Sequence, residues 1–187
     1  MNDTVPDEVL IARIAARDQT AMKALYLRHQ TRTYRFLRRL VKSAELAEDL
    51  TGDVFLDVWR QAGQYEARSS VSTWLLSIAR FKALSSFRRK APETFDPETA
   101  EEIADESDTP EISLQKVSKA KAMRLCIERL SREHREVIDL VYYHEKKIEE
   151  ISVMLGVPEN TVKTRMFYAR KRLSEILREA GLDRGWP

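Results

Sequence analysis

Apolar side chains recur at intervals of three and four residues along most of the chain, which is the spacing of one face of an α-helix. In the first half, this pattern predicts helices over residues 7–17, 21–42, 45–61 and 72–90. After a gap, it resumes over residues 114–130 and continues from Ser131 onward. Only 5 glycines and 6 prolines occur among 187 residues, which also favours helices over a β-rich architecture. The predicted fold class is therefore all-α.

The same spacing predicts which side chains form the interior. In the helices before residue 62, the expected core positions are Val9, Leu10, Ile14, Met22, Leu25, Phe36, Leu40, Leu46, Ala47, Leu50, Val54 and Val58, with Ile11 as a further candidate. In the later helices they are Leu75, Ile78, Ala79, Leu114, Val117, Ala120, Leu125, Ile127, Val137, Ile138, Leu140 and Val141. His29 and Cys126 stand on these apolar faces, so we interpret both as packed core residues rather than as a ligand and a reactive thiol.

Residues 148–173 have the pattern of two helices joined by a tight turn. Gly156 can adopt the left-handed backbone that ends a helix, and Pro158 suits the first turn of the next one. The second helix points basic, hydroxyl and aromatic side chains outward, namely Lys163, Thr164, Phe167, Tyr168 and Lys171. A basic second helix is typical of helix-turn-helix proteins that read the DNA major groove. The alternative is an ordinary helical hairpin with a solvated charged face.

The net charge of +2 conceals a strong segregation of charge along the chain. Residues 1–90 carry a net charge of +6, residues 91–113 carry −9 and residues 114–187 carry +5. The middle segment has no apolar period and contains three prolines, which predicts a flexible acidic linker between two small helical domains. This linker is either a solvating spacer or a polyanion mimic that lies in a groove meant for nucleic acid.

One acidic stripe interrupts the basic character of the first predicted domain. Asp49, Asp53 and Asp57 follow one another at i, i+4 and i+8 on one helix, where their like charges repel. A basic partner would relieve that repulsion, and Leu56 and Trp59 border the stripe, so we interpret it as a protein-docking face. A metal site is disfavoured because the carboxylates lie along one rod without a nearby His or Cys.

Basic and aromatic side chains are interleaved on the helix predicted over residues 72–90. Arg80, Lys82 and Arg88 are suited to phosphate contacts, and Trp74 can stack on an unpaired base or pack in the core. The helix predicted over residues 21–42 carries a second basic stripe, which is either a solvated face or a polyanion contact. Its members are Arg28, Arg32, Arg35, Arg39 and Lys42.

The cysteine count and the absence of several motifs in the sequence disfavour secreted, membrane-spanning and catalytic classes of protein. A single cysteine excludes an intrachain disulfide and favours a reducing cytoplasm, and the first residues lack the features of a signal peptide. No apolar run approaches the roughly 18 residues that span a membrane, so no membrane insertion is expected. The sequence has no glycine-rich phosphate loop, no nucleophile elbow and no supported Cys–His pair. We therefore predict no catalytic residues, no metal site and no cofactor.

Three stretches, in this order, resemble the extracytoplasmic function (ECF) group of bacterial RNA polymerase sigma factors in the sigma-70 family. The helix of that family that binds core polymerase is similar to AEDLTGDVFLDVW at 47–59. Its promoter-melting and −10-reading helix is similar to STWLLSIARFKALSSFRR at 72–89. Its −35-reading helix-turn-helix is similar to ISVMLGVPENTVKTRMFYARKRL at 151–173. The likeness covers about residues 8–180, with an acidic linker between the DNA-reading motifs.

The resemblance implies a promoter-specificity subunit with no catalysis of its own and three sets of contact residues. Core polymerase is the expected partner of the first domain and the helix-turn-helix domain. It is expected to bind through its largest-subunit clamp helices and its flap. The expected clamp contacts are Asp49, Asp53, Phe55, Asp57 and Trp59. The expected −10 DNA contacts are Tyr65, Ser70, Trp74, Arg80, Lys82 and Arg88. The expected −35 DNA contacts are Lys163, Thr164, Arg165, Phe167, Tyr168 and Arg170. The resemblance also implies an anti-sigma factor that covers the polymerase-binding faces and a signal-responsive regulon. It further implies that the linker runs toward the RNA-exit path.

Two positions depart from the family pattern. Gly52 stands where Gln is frequent, which removes a polar group from the docking helix, and Phe81 stands where Asn is frequent, so −10 base preferences do not transfer. Two rival functions remain at this stage: a free-standing helix-turn-helix regulator, which the acidic stripe and the second basic module disfavour, and a nucleic-acid-modifying enzyme, which lacks a catalytic set.

Overall fold

The computed structural model describes residues 5–90 and 119–182, with side chains over 5–88 and 122–182. Within these ranges every regular element is helical, which confirms the predicted all-α class. The helices are α1 (Asp7–Ala15), α2 (Gln19–Val41), α3 (Ala44–Gln61), α4 (Val71–Lys90), α5 (Lys119–Glu128), α6 (Arg132–Tyr142), α7 (Ile148–Leu155) and α8 (Glu159–Glu179). A short 3-10 turn, Ala62–Gln64, follows α3. The predicted linker over 91–113 and the start of the helix predicted over 114–130 lie outside the described residues.

The helices form two compact units, one made chiefly of α1–α4 and the other chiefly of α5–α8. In the first unit, α2 packs against α1, α3 and α4, and α3 packs against α4. Asp18, rather than Thr20, caps α2: its Oδ1 accepts the backbone N–H groups of Thr20 and Ala21 at 2.8 and 3.1 Å. The bond from Ala21 and the neighbouring Arg13 guanidinium lower the pKa of the Asp18 carboxyl below its ordinary value.

The core of the first unit follows the predicted helical spacing with one clear correction on α1. Leu10 and Ile14 are buried, and so is the further candidate Ile11, at 2% exposure, whereas Val9 was predicted to be buried and is 46% exposed. The buried side of α1 includes Ile11 because α1 packs against α2, α3, α4 and the 3-10 turn. On α4, the buried set also includes Leu76 and Ala83, while Ile78 is half-buried.

His29 is buried on α2, as predicted for a core histidine, and its ring nitrogen Nε2 has a hydrogen-bond partner within the unit. Its Nε2 lies 2.6 Å from Asp7 Oδ2 at the start of α1. Arg28 also bonds to Asp7, and its Nη1 donates to the carbonyl oxygen of Val5 at 2.9 Å. Arg28, the first residue of the predicted basic stripe, therefore joins α2 to the start of α1.

In the second unit, α8 packs against α5 and α6. Ser131 begins α6 as predicted, with its Oγ accepting the backbone N–H of His134 at 3.3 Å. Leu125 was predicted to lie in the core but is 45% exposed, because Ala122, Cys126 and Leu130 form the buried side of α5. Burial raises the pKa of the Cys126 thiol above its ordinary value, which agrees with a packed residue rather than a reactive one.

Candidate nucleic-acid and protein interfaces

The exposed face of α3 combines acidic side chains with one apolar side chain. After Ala44 at its first position, its solvent-exposed positions are Glu45, Glu48, Asp49, Gly52, Asp53, Leu56 and Arg60. Asp49, Asp53 and Leu56 follow one another at i, i+4 and i+7, so they lie on the same side of the helix. Leu56 is 53% exposed. The sequence pattern placed it only beside the acidic stripe, although its spacing from Asp49 was the signal that joins it to this face.

Phe55 does not lie on that face, which corrects its predicted place among the docking residues. It is 4% exposed, and its ring meets that of Tyr26 on α2 edge-on, with ring centroids 4.9 Å apart. Phe55 falls on the side of α3 that also buries Thr51, Val54 and Val58. It therefore supports the helix from beneath and has no surface with which to contact a partner.

The C-terminal part of α3 is engaged in contacts within the unit. Asp57 Oδ2 lies 2.8 Å from Lys82 Nζ on α4, and Asp57 Oδ1 lies 3.8 Å from the Arg60 guanidinium. Arg17 Nη1 donates to the backbone carbonyl oxygen of Trp59 at 2.7 Å, and its guanidinium lies over the Trp59 ring, 5.5 Å from the centroid. Arg17 carried no signal in the sequence pattern. Two predicted docking residues, Asp57 and Trp59, therefore already have partners within the unit.

Tyr65 and Trp74 meet at the loop that precedes α4. Their ring centroids are 5.1 Å apart, and both side chains are half-buried. The Tyr65 hydroxyl donates to the carbonyl oxygen of Ser69 at 2.6 Å, which fixes the ring within the loop. Burial raises the pKa of Tyr65, with smaller contributions from the carboxylates of Glu8 and Asp7. The pair offers a fixed aromatic surface next to the basic helix α4.

Ser70 stands at the start of α4 and caps it. Its Oγ accepts the backbone N–H of Thr73 at 3.3 Å and lies 2.8 Å from the Thr73 hydroxyl. Its carbonyl oxygen accepts the N–H of Trp74 at 3.0 Å. Ser70 therefore sets where α4 begins, and with it the position of Trp74.

The basic residues of α4 differ in exposure. Arg88 is exposed and Arg80 is half-buried, whereas Lys82 is only 18% exposed in its pair with Asp57. Phe81, the position that departs from the family pattern, is 66% exposed. The three basic residues of α4 predicted to contact −10 DNA are thus not equivalent, and Arg88 is the one most open to solvent.

The turn between α7 and α8 has the geometry that its sequence predicts. Gly156 has φ of +67°, the left-handed conformation expected at the end of α7. Ser152 Oγ donates to the carbonyl oxygen of Val157 at 2.6 Å, and the N–H of Val162 bonds to the carbonyl oxygen of Pro158 at 3.2 Å. These contacts fix the direction in which α8 leaves the turn.

The outer face of α8 is basic and aromatic, as the sequence predicts. Its exposed side chains are Lys163, Thr164, Phe167, Tyr168, Arg170 and Lys171. Phe167 and Tyr168 are 61% and 52% exposed, and their rings meet edge-on with centroids 5.3 Å apart. Exposed rings beside cations are suited to a groove that offers both thymine methyl groups and phosphates.

Arg165 lies at the edge of this face. Its Nη2 bonds to Glu133 Oε1 on α6 at 2.8 Å, and its side chain is 22% exposed. Glu133 was not singled out as a contact residue by the sequence pattern. Lys163 Nζ lies 3.6 Å from Glu159 Oε2, one turn earlier on α8. Both side chains are exposed, and exposed ion pairs contribute only about 0–1 kcal/mol to the free energy of unfolding. Arg165, at 22% exposure, is the more enclosed of the two cations, although its partner Glu133 is 61% exposed.

The described part of the chain holds no group of three or more His, Cys, Asp or Glu side chains arranged to bind a metal ion. Over the same residues, no helix has the length and apolar character needed to cross a membrane.

Comparison with known proteins identifies the family. The family described as Sigma-70 region 2 matches residues 25–93, and the family described as Sigma-70, region 4 matches residues 120–173. The ECF RNA polymerase sigma factor SigL of Mycobacterium tuberculosis is 31% identical over 179 residues, covering 93% of this chain and 98% of SigL. The chain belongs to the ECF sigma factors. SigM of the same species is 33% identical over 172 residues, covering 91% of this chain and 84% of SigM.

Solved structures agree with this fold. The sigma factor RpoE of Bartonella quintana, in complex with the anti-sigma factor NepR, is 26% identical and has a TM-score of 0.67, covering 83% of this chain and 96% of RpoE. CnrH, in complex with the cytosolic domain of CnrY, has a TM-score of 0.66 at 21% identity and supports the fold alone. As an ECF sigma factor, this chain binds core RNA polymerase and directs it to promoter DNA. The rival interpretation as a free-standing helix-turn-helix regulator is not favoured.

Proposed function

We propose that the sigma factor divides its work among three surfaces, and that the domains span residues 1–90 and 114–187 with the linker over 91–113 between them. The face of α3 formed by Asp49, Asp53 and Leu56 docks the clamp helices of core polymerase. The Tyr65–Trp74 pair with Arg80 and Arg88 engages the −10 element. The outer face of α8 engages the −35 element. The observation that carries this assignment is the contrast between the acidic exposed face of α3 and the basic exposed face of α8.

The α3 face suits a protein partner better than DNA. Its carboxylates repel a phosphate backbone and attract a basic protein surface, which speeds encounter and fixes orientation. Leu56, at 53% exposure, supplies apolar area that a partner can bury at the centre of the contact. Phe55 and Trp59 act here by holding α3 in place, through Tyr26 and Arg17 respectively.

The aromatic pair suits an unpaired base. Extruding a base from duplex DNA costs a few kcal/mol, and stacking on an aromatic side chain returns about 1–3 kcal/mol per base. Tyr65 and Trp74 are held by the Ser69 carbonyl and by the Ser70 cap, so little conformational freedom is lost when a base stacks on them. Arg88 is exposed on the same helix as Trp74 and is available to phosphates of the opened strand.

The face of α8 suits the major groove. Lys163, Thr164, Phe167, Tyr168 and Arg170 are all exposed on it. Arg165 contributes by joining α8 to Glu133 on α6, so its effect on the −35 contact is through the orientation of the helix. The acidic linker, with its net charge of −9, suits a polymerase channel made for RNA.

We further infer that an anti-sigma factor controls this chain, because the Bartonella RpoE that it resembles was solved with one. Such an inhibitor would cover the α3 face, the surface that polymerase needs. The chain then acts in the cytoplasm with the polymerase and performs no catalysis of its own.

Run-off transcription with purified core polymerase tests the proposal. The wild-type chain is expected to bind promoter DNA weakly alone and tightly with core. The double variant Asp49→Lys, Asp53→Lys should lose co-purification with core and all transcription while keeping its helical content. Glu128→Lys, Glu149→Lys is the control, because it makes the same charge change at two exposed positions of the second unit. Tight, sequence-specific binding without core, or unchanged core binding by the α3 variant, would contradict the proposal.

A further inference from the structure

The ion pair between α3 and α4 joins two surfaces to which different partners were expected to bind. Asp57 was predicted to contact polymerase and Lys82 to contact −10 DNA, yet Lys82 Nζ lies 2.8 Å from Asp57 Oδ2. We propose that Asp57 and Lys82 bind each other rather than any partner, and that they are positioning residues that tie the promoter-opening helix to the polymerase-docking helix. This inference rests on the function proposed above for α3 and α4.

The burial of the pair supports a lasting contact. The side chains of Lys82 and Asp57 are 18% and 22% exposed. A charge pair with this little solvent is screened less than one on the open surface, so separating it costs more. The other cation near Asp57, Arg60, is 3.8 Å away and 70% exposed, so it is a weaker partner. A DNA phosphate would have to displace Asp57 before it could bind the Lys82 ammonium.

The place of the pair gives it a function in promoter opening. The Ser70 cap is local to the first turn of α4, whereas the Lys82–Asp57 pair joins the middle of α4 to α3. Added to the packing of α4 on α3, this directional contact orients the helix that carries Trp74 and Arg80. When polymerase holds α3, the tie transmits that placement to the residues proposed to open the −10 element.

A double-mutant cycle in the full chain with core polymerase tests the tie. The variants are Asp57→Asn, Lys82→Met and the two together. Opening is measured by permanganate reactivity of −10 thymines, core affinity by fluorescence anisotropy and folding by thermal unfolding. Each single change should reduce the open fraction roughly fivefold, the effect of about 1 kcal/mol, while core affinity stays within about twofold. The double variant should lose no more than either single one.

Charge exchange and a matched control complete the experiment. Asp57→Lys with Lys82→Asp should recover much of the opening that either reversal alone removes. Arg88→Met removes an exposed cation from the same helix and should weaken opening without any coupling to Asp57. Asp57→Asn should leave the salt dependence of promoter binding unchanged, as should Lys82→Met.

Four results would overturn the tie. They are weaker core binding by Asp57→Asn with normal opening, a salt slope reduced by about one for Lys82→Met alone, additive losses in the double variant, and lower thermal stability without an opening defect. Failure of the wild-type chain to initiate with core would instead contradict the proposed function, so the two failures are distinguishable.

Discussion

Gly52 shows how a single residue can lower the stability of a functional helix without any compensating contact. It lies in the interior of α3 and is exposed, and a Cβ built there meets nothing within 4 Å. Its backbone is helical, so the usual reason for a glycine, a positive φ, is absent. Since glycine in a helix costs roughly 0.5–1 kcal/mol relative to alanine, this position is a local weakness beside Asp49 and Asp53.

We expect Gly52→Ala to raise the free energy of unfolding by about 0.5–1 kcal/mol, measured by urea denaturation. The matched control is Gly156→Ala, where φ is +67° and alanine is strained, so stability should fall. A Gly52→Ala variant that is no more stable than the wild type would contradict the interpretation of Gly52 as a local weakness of α3. Core affinity measured on the same variant would then show whether polymerase approaches the helix at this point.

At the scale of elements, α3 separates the side chains that support a surface from those that form it. Phe55 and Leu56 are neighbours in sequence, yet Phe55 is 4% exposed and Leu56 is 53% exposed. The family resemblance pointed to Phe55 as a contact, whereas the structure gives the exposed apolar position to Leu56. The two residues therefore provide opposite tests of what α3 does.

Leu56→Ala should weaken core binding by roughly fivefold or more and change the free energy of unfolding by less than about 0.5 kcal/mol, because the side chain is largely solvated in the free chain. Phe55→Ala should do the reverse, lowering the free energy of unfolding by about 3–5 kcal/mol through the cavity it leaves. Anisotropy with labelled chain measures the first quantity and urea denaturation the second. Equal core affinity for wild type and Leu56→Ala would remove Leu56 from the docking face.

The sequence predicted the helices well because each one carries a long apolar period and, at Asp18, Ser131 and Gly156, a local signal for where it begins or ends. It predicted the buried arcs less well. Val9 and Ile11 are both apolar and stand on opposite sides of Leu10, and only the positions of α2, α3 and α4 decide which is covered. Periodicity within one helix carries no information about the direction from which its neighbours approach.

The candidate site shows the same limit for charged residues. Spacing placed Lys163 and Lys171 on the outer face of α8, and the structure agrees. The sequence did not reveal that Lys82 and Arg165 are paired with Asp57 and Glu133, because those partners come from other helices. Both basic residues were interpreted as DNA contacts, yet in each case an anion of the protein itself is the partner.

At the scale of the whole molecule, promoter recognition is shared between two modules that one polymerase holds on the same DNA. Once the first is bound, the second binds at a high effective concentration, so neither has to be tight alone. We therefore expect the outer face of α8 to contribute through a few phosphate and base contacts rather than through a large interface. Each phosphate contact releases condensed counterions, which makes the number of contacts measurable as a slope against salt concentration.

Lys163→Ala with Arg170→Ala should reduce the slope of log affinity against log salt concentration by about two for the holoenzyme on a promoter with its −35 element. Transcription from that promoter should fall, whereas on a template whose −35 element is replaced the variant and the wild type should differ much less, because base contacts no longer seat α8 there. Arg178→Ala is the control: it removes an exposed cation from the last turn of α8 and should change neither measure. If the double variant loses transcription equally on both templates, α8 acts through polymerase rather than through the −35 DNA, and the division of labour proposed for the two modules is wrong.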